Sequence, residues 1–132
     1  MRTILLGAML LMSGNGFAGE ASSPFKLLKA APRFTIGPVG FAAMPSREEK
    51  AFRALLRGPK AQEQFGKLLA EATPAGQLYA LLGLKLLKDP AFEKAYPRYA
   101  ANEQPVSTMS GCIVLQTTVD ALARQIEEGK FK

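Results

Sequence analysis

The sequence predicts a mainly α fold: a small domain of about five helices, with one or two short β-strands joining the ends of the mature chain. Apolar residues recur at spacings of three, four and seven along much of the chain, as on the buried face of an amphipathic helix. Ser, Thr, Asp and Pro stand at the starts of these periodic segments. The length of 132 residues allows one domain, which we assign to residues 34–132.

Residues 1–18 have the pattern of a signal peptide. A single basic residue precedes an uncharged apolar run at residues 4–12, and small residues follow at Gly16 and Ala18. The run is shorter than the roughly 20 residues that a membrane-spanning helix needs, and small residues at these positions suit a signal peptidase. We expect cleavage after Ala18, or alternatively after Ala21, and an exported protein that is periplasmic or secreted.

The segment between this signal and the helices is rich in Pro, Ser and Ala. Residues 19–33 are therefore expected to form a flexible lead-in, with one turn of helix at 25–29. Apolar and polar residues alternate at 34–36, and a second apolar stretch at 39–41 follows a Gly-Pro pair. Short extended segments around a turn are predicted there.

Local signals mark where the helices begin. Ser46 and Glu49 have the spacing of a capping box, and Thr73 precedes a Pro that suits the first position of a helix. The helix that Thr73 opens is apolar nearly all round from Leu78 to Leu87, so we predict that it lies at the centre of the domain.

The other helix boundaries follow from turn residues. We expect helices from Ser46 to a stop at Gly58-Pro59, from about Lys60 to Ala72, from Thr73 to Leu87, from Asp89-Pro90 to a distortion or end at Pro97, and from Thr117 to a cap at Gly129. A loop is expected from Ala100 to Ser107.

One short sequence pattern occurs twice in the chain, and we call this pair of segments the internal echo. Residues 55–59 and 86–90 share a Leu-Leu-basic-turn-Pro pattern 31 residues apart. Two stacked helical hairpins would produce it, and over about residues 46–100 the pattern generically resembles HEAT-type or tetratricopeptide-type helix pairs. A stable solenoid usually needs at least three repeats, so we interpret the echo as two hairpins inside one compact domain.

The segment Cys112-Ile113-Val114-Leu115 is apolar and rich in β-branched residues, which predicts a buried strand. Its partner is expected to be either 34–36 or 39–41. Cys112 itself is expected to be a small buried residue, because free Cys is among the most buried residue types. A reactive thiol at Cys112 is the alternative, and it would make the protein a small envelope enzyme or a thiol-dependent protein.

The composition excludes most familiar catalytic chemistry. The chain has no His and one Cys, so it cannot form a Ser-His or Cys-His pair, an internal disulfide, or a zinc site built from His or several Cys. Acidic neighbours such as Glu48-Glu49 and Glu127-Glu128 are expected to be solvated on helix surfaces. We therefore expect a non-enzymatic protein with no cofactor and no metal site.

Basic residues are concentrated in one part of the chain. Residues 19–60 hold eight Lys or Arg against three Glu. Among them Lys50, Arg53 and Arg57 share one helix face, opposite the predicted buried stripe. This set, called the basic face below, is the predicted partner-binding surface, unless it is only solvated surface. It has no interleaved aromatics, so we do not expect nucleic-acid binding.

The expected function is therefore that of an exported binding module. Its partner would be a protein or an anionic component of the cell envelope, as for an inhibitor or an immunity protein.

Overall fold

A computed structural model of the protein describes residues 23–40 and 43–132. These residues form six helices and two antiparallel strand pairs, which confirms the mainly helical class. The predicted signal peptide at residues 1–18 lies outside the described residues. In chain order the elements are α1 (Pro24–Lys29), β1 (Pro38–Val39), β2 (Met44–Pro45), α2 (Arg47–Arg57), α3 (Ala61–Glu71), α4 (Pro74–Leu86), α5 (Ala91–Ala100), β3 (Pro105–Ser110), β4 (Ile113–Thr118) and α6 (Val119–Glu127).

Helix α4 forms the centre of the core, as the sequence predicts. It contacts all five other helices, most extensively α3. Its start is also as predicted, because the Thr73 hydroxyl accepts a hydrogen bond from the Gly76 N–H at 3.1 Å. The residues of α4 that are almost fully buried are Ala75, Leu78, Tyr79, Ala80, Leu81, Leu82 and Leu84.

Two glycines allow the neighbours of α4 to approach its backbone. A Cβ atom at Gly76 would overlap the carbonyl oxygen of Leu28, and one at Gly83 would overlap the ring of Phe65. Both positions are helical, where Gly is intrinsically unfavourable. Close packing therefore requires the two glycines.

The predicted turn of helix at 25–29 is present, but the segment around it is held against the core and does not form a separate flexible lead-in. Residues 24–29 form helix α1, and both Leu28 and Ala31 are buried in the common core. The Thr73 backbone N–H donates to the Lys29 carbonyl at 3.0 Å, and the Thr73 hydroxyl donates to the Ala31 carbonyl at 2.6 Å. Pro and Ser weaken the local helix signal, but contacts with α2, α3 and α4 hold the segment in place.

The predicted pairing of the C-terminal strand is also wrong. Strand β4 pairs with β3, in a segment that was expected to begin as a loop, and the two form a hairpin. The turn residue Gly111 has a φ of +58°, which suits a tight hairpin turn. The N-terminal segment contacts β3 and the turn instead, through Phe34 N–H to Ser107 at 2.9 Å and Gly40 N–H to Gly111 at 2.9 Å.

Other helix ends differ in detail from the prediction. The N-cap of α6 is Thr118 instead of Thr117, and α5 continues through Pro97 to Ala100. Gly129, with a φ of +82°, follows the C-cap of α6 as expected, and its N–H donates to the Ile126 carbonyl at 3.0 Å.

The two turns of the internal echo have different backbones. Gly58 is extended, with φ −77° and ψ 163°, whereas the matching stretch contains Lys88 at a φ of +57°. The shared sequence pattern thus does not produce a shared turn conformation.

Candidate functional site

The most unusual surface of the described molecule is the distal part of the β3–β4 hairpin. Ile113, Val114 and Leu115 are exposed by 64%, 48% and 45%. The predicted strand is present as β4, but the prediction that it is buried is wrong. The base of the hairpin is anchored in the core through Val106. The distal residues of β4 extend past the part of the core that could cover them.

The register of the hairpin places apolar side chains on both of its faces. Ser110 pairs with Ile113 and Thr108 with Leu115, so these pairs share one face. Met109 pairs with Val114 on the opposite face. The hairpin contributes no charged side chain of its own to either face, because no charged residue lies between Glu103 and Asp120.

Strand β4 also has an unpaired edge. Among the described strands, only β3 pairs with it. The outer edge of an antiparallel strand presents alternating N–H and C=O groups that can bind another strand. Proteins usually protect such edges with charges, Pro or a bulge. The six pairs of this ladder run without interruption, and Ile113–Thr118 contains neither Pro nor a charge. We call this outer edge, with Ile113, Val114 and Leu115, the hairpin edge.

Cys112 lies in the hairpin turn and is exposed, so the prediction that it is buried is wrong. Its apolar neighbours suggested a core environment, but they are exposed themselves. Because Cys112 follows Gly111 in a two-residue connection, it belongs to the end of the hairpin farthest from Val106. Its thiol is accessible to reagents and to other proteins.

The basic face is only partly available for binding. Lys50 and Arg57 are exposed, and neither forms an ion pair with another described residue. The Arg53 side chain is 29% exposed and lies 3.3 Å from a carboxylate oxygen of Glu49. It also donates to the carbonyl of Lys132. Arg53 is thus occupied within the molecule, and the predicted set of three cations reduces to two accessible ones.

Glu48 and Glu49 are each only 8% exposed, so the expectation that they are solvated is wrong. Glu49 makes three contacts, with Ser46, Gly37 and Arg53. Its backbone N–H donates to the Ser46 hydroxyl at 3.0 Å, which is one half of the predicted reciprocal capping box. Its carboxylate accepts the Gly37 N–H at 2.8 Å and pairs with Arg53. The carboxylate therefore fixes the N-terminal segment to α2.

Tyr79 is a buried polar group that the sequence did not single out. Its hydroxyl donates to the Thr35 carbonyl at 2.8 Å and accepts the Thr35 N–H at 2.9 Å. Burial raises the pKa of Tyr79 to about 12, although the hydrogen bond with Thr35 opposes the increase. At neutral pH the phenol remains protonated, so it serves as a structural link and supplies no general base.

One shallow apolar groove lies between the start of α1 and the α2–α3 turn. Its volume is about 330 Å³, and Phe25, Leu55 and Pro59 contribute to its lining. Lys60 is the one charged residue among its lining residues. The groove therefore has no pair of groups that could act as acid and base.

Within residues 23–40 and 43–132, no group of three or more His, Cys, Asp or Glu side chains is arranged to hold a metal ion. None of the helices in this part of the chain has both the length and the apolar character needed to cross a membrane. The hairpin edge thus remains the leading candidate site. Comparison with protein-family models, curated proteins and solved structures found no match to this chain.

Proposed function

We propose that this protein is an exported, non-enzymatic interaction module that binds an extended, uncharged apolar segment of another polypeptide along the hairpin edge. The observation that carries this proposal is the exposure of Ile113, Val114 and Leu115 on a strand with an unpaired edge. Strand addition gives affinity through backbone hydrogen bonds and specificity through contacts with alternate side chains.

The chemistry of the edge favours a polypeptide over a lipid surface. Insertion of the apolar side chains into hydrocarbon would also carry the unpaired N–H and C=O groups of β4 away from water. Each such group costs several kcal/mol if it is left unsatisfied in a bilayer. An added strand satisfies these groups and covers the apolar side chains at the same time. The absence of charge in the hairpin also selects a partner segment without charge.

The helical body is the scaffold in this proposal. Helices α4 and α6 contact the hairpin, and Val106 at its base shares one buried core with Leu122 of α6. The pairs α2–α3 and α4–α5, interpreted as two stacked hairpins, belong to the same helical body. Export fits a module that meets its partner in the periplasm or outside the cell. An inhibitor or immunity-type role would use the same surface, because each needs only a rigid body and an exposed binding element.

The test compares three forms of the purified protein as bait for envelope proteins: wild type, Val114→Lys, and a control in which Lys50 and Arg57 are both replaced by Gln. A protein captured by wild type is then purified, and hydrogen exchange of the complex is measured. We expect Val114→Lys to abolish capture, the control to retain it, and the amides of 113–118 to become protected. Capture that depends on Lys50 and Arg57, with unchanged exchange in β4, would instead assign binding to the basic face.

A thiol-dependent role is the second candidate, and the exposure of Cys112 favours it. An activated thiol reacts faster than an ordinary one, since the thiolate is the nucleophile. The folded protein is treated with an alkylating reagent at neutral pH, and its rate is compared with that of a small free thiol. A faster rate, together with loss of partner binding in Cys112→Ser, would support this candidate. An ordinary rate and retained binding would exclude it.

A further inference from the structure

We propose that the hairpin edge pairs with a second copy of this chain, so that two β4 strands join antiparallel about a two-fold axis at Val114. This inference rests on the proposed function, because it names one polypeptide that would occupy the same edge. The joined hairpins would form a four-stranded sheet in the order β3–β4–β4–β3.

Self-pairing satisfies the backbone of both copies. Each β4 has one edge bonded to β3 and one edge unpaired among the described strands. In a symmetric dimer the same patch on each copy contacts its counterpart. An antiparallel pair of identical strands meets this condition, because a two-fold axis perpendicular to the sheet relates them.

The apolar pattern selects one register. With the axis at Val114, that residue faces its own copy, and Ile113 faces Leu115 in both directions. All three exposed apolar residues then face apolar partners. A shift of the axis to Leu115 would place Ile113 opposite Thr117 and Val114 opposite Gln116. Register in sheets follows such hydrophobic matching, so the Val114 axis is favoured.

Charge also favours this surface for self-association. The full chain carries a formal net charge of +6, most of it in residues 19–60, so two copies repel most strongly where those residues approach each other. The segment between Glu103 and Asp120 is uncharged and is therefore the natural place for two copies to approach. A contact of two short strands is small compared with stable interfaces, which makes the expected dimer weak and dependent on concentration.

Site-specific cross-linking tests the register. Val114→Cys and Gln116→Cys are each made in a Cys112→Ser background and oxidised mildly at a concentration where the dimer is populated. Directly opposed Cα atoms in an antiparallel pair are about 4.5 to 5.5 Å apart, within the range of a disulfide. In the proposed register the two Gln116 positions are four residues apart along the strands, or about 14 Å. We expect Val114→Cys to cross-link and the matched control Gln116→Cys not to.

Sedimentation of unmodified protein supplies the second measurement. Wild type is expected to show a concentration-dependent dimer that Val114→Lys abolishes, while circular dichroism confirms that the variant is folded. A wild-type protein that remains monomeric, or equal cross-linking at both cysteine positions, would overturn the self-pairing. Failure of self-pairing together with β4 protection by another captured protein would leave the proposed function intact. Failure of self-pairing, with no captured protein that protects β4, would reject the hairpin edge as a binding site.

Discussion

At the scale of single residues, Tyr79 is fully buried, and its hydroxyl is held by two hydrogen bonds. Its hydroxyl connects α4 to both backbone groups of Thr35, and its ring packs 4.7 Å from that of Phe34, measured between centroids. The same link fixes the N-terminal segment against the centre of the fold. Tyr79 therefore joins the N-terminal segment to α4 through both its hydroxyl group and its ring.

We predict that Tyr79→Phe lowers the free energy of unfolding by about 1 to 3 kcal/mol, because the Thr35 N–H and C=O lose their buried partner. The substitution should also change how the free energy of unfolding depends on pH in the alkaline range. Between an ordinary pKa of 10 and a folded pKa of about 12, the unfolded state releases the phenolic proton while the folded state retains it. The unfolded state then binds fewer protons, so stability falls as pH rises.

Denaturant titrations from pH 8 to 12 measure this effect. The wild type should lose stability faster than Tyr79→Phe above about pH 10, by about 1.4 kcal/mol per pH unit. The contribution of the neutral phenol is fully present below pH 10. Parallel curves for the two proteins would contradict a raised pKa at Tyr79.

Gly83 provides a steric prediction at the same scale. Gly83→Ala places a methyl group against the ring of Phe65, which is buried and has little freedom to move. Such overpacking typically costs about 1 to 3 kcal/mol. The matched control is Gly66→Ala, at a helical glycine whose added Cβ would meet no atom within 4 Å. The control should be stabilised by about 0.5 to 1 kcal/mol. Thermal unfolding of both variants distinguishes packing from helix propensity, and equal shifts would refute the close contact.

At the scale of elements, α2 carries cations with different roles. Arg53 contacts the buried Glu49 carboxylate and lies 5.2 Å from the centre of the Phe52 ring, whereas Arg57 is exposed. Position on one helix face therefore does not imply one function. The core-facing cation stabilises the carboxylate that fixes Gly37, and the exposed ones remain available to solvent or to a partner.

We predict that Arg53→Gln lowers the free energy of unfolding by about 1 kcal/mol, because Glu49 loses a charged hydrogen-bond partner. Arg57→Gln should change it by less than about 0.5 kcal/mol. Urea denaturation of the two variants gives the comparison directly. If both substitutions had the same small effect, Arg53 would belong to the accessible basic face after all.

At the scale of the whole molecule, the two proposed binding surfaces, the hairpin edge and the basic face, are expected to respond oppositely to salt. Net positive charge opposes the approach of two copies, while an acidic partner is attracted to cations such as Lys50 and Arg57. The Debye screening length falls from about 10 Å at 0.1 M salt to about 3 Å at 1 M, so charges interact over shorter distances at high salt. Ionic strength therefore separates apolar strand pairing from recognition by the basic face.

We predict that self-association through the hairpin edge is maintained or strengthened when NaCl is raised from 0.1 to 0.5 M. Screening reduces repulsion between the copies and leaves apolar contacts intact. Sedimentation equilibrium at several salt concentrations measures the change. A steep fall in association with salt would show that ionic contacts hold the copies together, contrary to this prediction.

Features that depend on neighbouring residues along the chain could be predicted from the sequence. The cap at Thr73, the hydroxyl of Ser46 bound to the Glu49 N–H, and the glycine after α6 each satisfy backbone groups within a few residues. The all-round apolar pattern of α4 likewise identified the central helix, because such a surface must be covered on every side.

The burial of individual apolar and charged side chains could not be predicted from the sequence and became apparent from the folded molecule. Leu28 is buried although its segment looks like a linker, and Ile113 is exposed although its strand looks like core. Arg53 is bound within the molecule while Arg57 is not paired to any described residue. The local sequence pattern shows whether a side chain is apolar or charged. Whether that side chain is buried depends on segments that are distant in sequence and pack against it in the fold. The candidate site lies in β4 because the sequence of this strand is as apolar as that of a buried strand, whereas the core does not cover Ile113, Val114 and Leu115.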